Sequence, residues 1–116
     1  MTCDQCTTLY CSDLADNCGA VTGCDVILAC IVDTGCGMNS TRDTKECYCG
    51  DNVDDQTCFG FDPTAPQGEC KADMNAAAPG GPLAVGSVFF DVTSPVGAAV
   101  QETGCRRGFC QTECGL

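Results

Sequence analysis

The amino-acid sequence predicts a small disulfide-rich, mainly α protein. Its expected parts are an antiparallel helical hairpin (about 4–17 and 24–34), a C-terminal helix (about 95–113), long irregular loops and little β-structure. Three observations predict this class. Fourteen of the 116 residues are cysteine, and seven of those lie within residues 3–36. An apolar run, residues 26–32, sits inside that cysteine-rich stretch. The rest of the core material is thin: five Phe, two Tyr and no Trp stand against fourteen glycines and five prolines. A chain so short of core needs covalent or metal staples. An even cysteine count is what disulfides in an oxidising compartment produce.

The first helix is expected over 4–17, which contains no Pro or Gly and is acidic early. Cys11, Leu14 and Cys18 recur at i, i+3 and i+7, one helical face, and Gly19 is a stop signal. A turn at 20–23 leads to the second helix, 24–34, closed by Gly35. Val26, Ile27, Leu28, Ala29, Ile31 and Val32 make it apolar nearly all round, the pattern of a helix buried on most sides. It is therefore expected to be the central one. Facing residues of an antiparallel pair have a constant index sum. Cys18–Cys24, Cys11–Cys30 and Cys6–Cys36 satisfy this to within one residue and predict a nested ladder of three disulfides, with Cys3 able to replace Cys6 on the outermost rung. The remaining Cys3, Cys47, Cys49, Cys58, Cys70, Cys105, Cys110 and Cys114 are left to pair in an order that spacing does not decide.

Residues 37–46 read as a polar loop. Within it Asn39-Ser40-Thr41 matches the glycosylation sequon, making Asn39 a candidate if the pathway is eukaryotic. In Cys47-Tyr48-Cys49-Gly50, two cysteines one apart in a strand point to opposite faces and take different partners, which favours a structural role over a redox dithiol. Asp51, Asp54 and Asp55 offer clustered oxygens and form a calcium candidate, although the spacing is not that of an EF-hand. Phe59 and Phe61 are expected to cover the core. From 62 to 86 Pro and Gly punctuate the chain, with a short helix over 69–78. Residues 87–92, SVFFDV, are the best strand candidate. Ser94-Pro95 reads as an N-cap with proline at N1, opening the last helix. Val96, Val100, Thr103, Arg107, Cys110 and Cys114 share one face of it, and its three glycines leave room for a break near Gly104. The organisation is then one domain, 1–116: a helical hairpin (1–36), a loop-rich segment (37–86), and a short strand with the C-terminal helix (87–116).

Sixteen acidic against five basic residues, net −11, argue against nucleic acid or an anionic membrane as partner. No apolar stretch is long enough to span a bilayer. Residues 1–6, MTCDQC, do not read as a charged and apolar leader, so export would make residue 1 a mature or trimmed start. The chain has no histidine, which removes the commonest general base and transition-metal ligand together. Cys3-x-x-Cys6 is followed by Thr7, so the haem-attachment pattern also fails.

The order of a helical cysteine hairpin, Cys47–Gly50, Gly68–Cys70 and a proline-led helix ending C-x4-C-x3-C resembles cysteine-rich exported proteins of myxobacteria and related deltaproteobacteria. That resemblance implies export and disulfides, and no activity. The expected function is a non-catalytic structural or interaction module, extracellular or on the cell surface. It needs no cofactor and takes protein partners or self-associates, in a filament or other homopolymer for example. The alternative is a Cys-ligated zinc or iron–sulfur protein, or a redox carrier using Cys3/Cys6 or Cys47/Cys49.

Overall fold

Thr2 begins the fold with a capping box: its hydroxyl accepts from the Gln5 N–H, and the Gln5 side chain accepts from the Thr2 N–H. The computed structural model describes residues 1–36, 43–51 and 53–116. Helix α1 (Cys3–Tyr10) ends where Cys11 leaves helical geometry (φ −128°, ψ 24°), and α2 (Ser12–Ala20) follows at once. The single helix expected over 4–17 is thus two. Helix α3 (Cys24–Thr34) has the expected bounds, with Gly23 and Gly35 at positive φ on either side.

The middle of the chain is richer in structure than expected. After a 3-10 turn (Asp43–Lys45) come α4 (Glu46–Cys49), α5 (Asp55–Cys58), α6 (Lys71–Ala77) and α7 (Pro82–Val88). The expected strand at 87–92 is replaced by the end of α7 and a turn, and no strand occurs among the described residues. The reason is local: Pro82 sits at N1 after Gly81, a strong helix start, and a lone strand would leave its backbone groups without partners. Phe59 stacks on Tyr48 and meets Phe89 edge-on, as core cover should. Phe61, expected to do the same, is 90% exposed. Ser94 caps α8 (Pro95–Phe109) by accepting from the Gly97 N–H. The break comes at Cys110 (φ −131°, ψ 28°), not at Gly104, and α9 (Gln111–Cys114) completes the chain.

Helix α8 lies against both α2 and α3, and packs on each more extensively than they pack on one another. The hairpin is therefore closed by α8 rather than by its own ladder. Cys18–Cys24 forms at the α2–α3 turn. The other two rungs do not: Cys11 is bonded to Cys105 and Cys6 to Cys110, while Cys3 joins Cys114. The helix break at Cys11 is the physical cause, because it turns α1 away from α3 and lays it along the end of α8. The two cysteines left on the α3 side find other partners, Cys30 with Cys70 and Cys36 with Cys47. Cys49 pairs with Cys58.

Cys47 and Cys49 thus take different partners, as expected, though they sit in a short helix and not a strand. Residues two apart on a helix are about 200° apart in direction, so the same divergence results. Gly68 lets the chain at 67–70 run against α4. Its N–H donates to Tyr48 O, with Gln67 N–H to Cys49 O and Cys70 N–H to Cys47 O on either side. These satisfy carbonyls that a one-turn helix leaves open. A Cβ at Gly68 would lie 2.2 Å from Cys47 O.

Candidate functional site

Helix α3 carries two apolar stripes, and α8 covers only one. Cys24, Ile27 and Ile31, at i, i+3 and i+7, are buried. The second stripe is Leu28, Ala29 and Val32, flanked by Asp25 and Asp33; the five fall at i, i+3, i+4, i+7 and i+8. Leu28 and Val32 are half-buried, Ala29 is exposed, and Val26 beside them is 54% exposed. The expectation that α3 is buried on most sides is corrected accordingly. Helix α8 packs on it most extensively, and α2 and α6 touch it less, which leaves this stripe open.

The uncovered stripe forms one wall of a groove of about 390 Å³. Ala15, Cys18 and Gly19 of α2 supply another wall, and their small side chains keep it open. Glu102 and Arg106 of α8 form the floor. They sit at i and i+4 with the acid first, the favoured order on a helix, and Glu102 Oε2 lies 2.7 Å from the Arg106 guanidinium. Glu102 is almost wholly buried. That burial raises its carboxyl above the ordinary carboxylate value, and the neighbouring Arg106 charge and hydrogen bond offset the rise only in part. Arg106 Nη1 also donates to Cys3 Sγ, while its Nε is buried without a partner. The lining therefore offers apolar contact, acidic lips and one unspent donor at the floor.

No family model, curated protein or solved structure matches this chain. What the site can do must be read from its own residues.

The residues singled out in the sequence are distributed differently. Asp54 caps α5 by accepting from the Thr57 N–H at 2.7 Å, and Asp55 pairs with Lys45 at 2.7 Å. Asp51 lines a separate cavity with Glu46 and Glu69. The expected calcium trio is not brought together, because two of its members are committed to a helix cap and an ion pair. Asn39 lies outside the described residues. All fourteen cysteines are in seven disulfides. Two groups place sulfurs close together, Cys36, Cys47 and Cys70, and Cys6 and Cys110 beside Glu113. A metal takes the thiolate as ligand, and each of these sulfurs is already in a disulfide: Cys36 with Cys47, Cys70 with Cys30, and Cys6 with Cys110. Neither Cys3/Cys6 nor Cys47/Cys49 forms a dithiol pair. The groove was missed in the sequence because its apolar residues are indistinguishable, by type, from core. The signal that marked it was the acidic pair, Asp25 and Asp33, eight residues apart on the same face.

Proposed function

We propose that this chain is a disulfide-stapled protein-interaction module, working outside the reducing cytosol and docking a partner in the α3 groove. The observation that carries this is the second apolar stripe of α3, which lines an open groove against α2 and α8. Seven disulfides in a chain with so thin a core support an oxidising compartment, and the resemblance to exported cysteine-rich proteins points the same way. The reading is non-catalytic: the groove pairs no nucleophile with a base, and the chain has no histidine to serve as one. The acidic lips and the net charge of −11 favour a partner segment whose apolar stripe is flanked by Lys or Arg. They disfavour a second copy of the chain in this groove, so the filament reading has the weaker support.

The test is a fluorescence-anisotropy titration with a labelled helical peptide carrying a leucine stripe between lysines. Saturable, salt-sensitive binding is expected, weakened about tenfold or more by Val32→Asp. Binding that Val32→Asp leaves unchanged, or none at all, would reject the groove. Surface labelling of producing cells tests the compartment separately. Protein found only inside the cytosol would sink the exported reading.

A further inference from the structure

A smaller cavity lies on a different part of the molecule, where α4 meets the chain at 67–69. It holds about 140 Å³ and is lined by Glu46, Gly50, Asp51, Gln67, Gly68 and Glu69, with Cys36 at its edge. Three of these are carboxylates and none is basic. Glu46 is the buried member: 7% of it is exposed, and its Oε2 is buried with no hydrogen-bond partner. Leaving a carboxylate oxygen dry and unpaired is costly. The lysines nearest in sequence do not relieve it. Lys45 is held by Asp55 at 2.7 Å, and Lys71 donates to Pro63 O at 2.8 Å. Asp51 and Glu69 are exposed on the rim.

We propose that this cavity is a calcium site in which Glu46 is the buried ligand and Asp51 and Glu69 close over the ion from the rim. The three carboxylates do not already converge, since no trio here has its oxygens within 4.8 Å of one another. That feature selects among hard cations. Magnesium demands near-ideal octahedral ligands and gives up water reluctantly, whereas calcium accepts irregular oxygen sets that adjust around it. Water fills the rest of the shell. With three carboxylates, two of them needing to turn inward, affinity on the order of 10⁻⁴–10⁻³ M is expected, the range of extracellular modules. The cavity and the α3 groove share no lining residue, so this site stands or falls independently of the docking reading.

The experiment is isothermal titration of the oxidised protein with CaCl2, and separately MgCl2, beside thermal unfolding in both salts. Calcium is expected to bind at one site and raise the unfolding temperature, with magnesium much weaker. Glu46→Gln is expected to lower calcium affinity about tenfold or more, and Asp51→Asn and Glu69→Gln several-fold each. Asp13→Asn, on α2, should change nothing. Circular dichroism of Glu46→Gln establishes that the variant is folded. No calcium response up to about 10 mM, equal binding of magnesium, or unchanged affinity in folded Glu46→Gln would each overturn the assignment.

Discussion

Glu102 is a buried acid whose environment pulls in two directions. Desolvation lifts its carboxyl above the ordinary 4.5, and Arg106, 2.7 Å away, only partly opposes that. The folded chain therefore holds this proton more tightly than the unfolded chain does. The resulting stabilisation is complete below the unfolded value and is lost as pH rises through the folded one. Asp62 and Asp91 act oppositely, because hydrogen bonds from Thr64 and Thr93 lower their carboxyls. Their stabilisation is present above the unfolded value and fades as pH falls. The comparison that isolates Glu102 is with Glu102→Gln, which retains the other two. The variant is expected to gain on the parent as pH rises from below the ordinary carboxylate value to well above it. Unfolding temperatures of both proteins across that range check it, and parallel curves would contradict it. Gly68 makes a different point at the same scale. Its N–H reaches Tyr48 O at 2.9 Å only because no Cβ stands between the backbones, so one hydrogen atom positions the floor of the acidic cavity.

The three bonds Cys3–Cys114, Cys6–Cys110 and Cys11–Cys105 form a clamp between α1 and the α8–α9 end. They are nested, so each holds the loop that its neighbours would otherwise close. Replacing Cys11 and Cys105 by Ala is expected to cost only about 1 kcal/mol, since two bonds still tie the same segments. Replacing all six is expected to cost about 4–5 kcal/mol, the closure entropy of a loop near 100 residues. Urea midpoints of the two variants measure this, and equal losses would refute the nesting argument. The clamp was legible in the sequence and was misread. C-x2-C-x4-C at one end and C-x4-C-x3-C at the other are nearly mirror spacings, which is the condition for antiparallel rungs. The same arithmetic was also met by Cys11 with Cys30 and Cys6 with Cys36. Closeness in sequence favoured the local solution, and nothing in the spacing shows that Cys11 breaks the helix. Helix α3 was readable to the residue, because Gly23 and Gly35 mark its limits. Residues 87–92 were not, because β-rich composition says nothing about whether a second strand is available. The groove depends on which stripe of α3 meets α8, a tertiary choice that two equally apolar stripes leave open. For the acidic cavity, Asp51 was visible as part of a charged turn. Glu46 and Glu69 join it only because Gly68 brings two distant segments together.

At the scale of the molecule the extents are 42 × 27 × 18 Å. The thinnest is about two helix layers, given packing distances of roughly 8–10 Å. A two-layer slab leaves outer helix faces open, and large apolar side chains such as Leu9, Tyr10 and Phe109 remain more than half exposed. Its cohesion falls to the cysteines, many of which are themselves core residues. Reduction of the intact protein is expected to add about 14 Da, two hydrogens for each of the seven bonds. Mass spectrometry before and after reductant checks it, and a smaller gain would mean that some thiols are free or metal-bound. The clamp also sets a timetable. Cys3, Cys6 and Cys11 are among the first cysteines synthesised, and their partners are the last three. Until those arrive, the early thiols can oxidise only with one another or with the cysteines between Cys18 and Cys70, and every such bond is non-native. Any early bond of that kind has to be undone by thiol–disulfide exchange before the clamp can close.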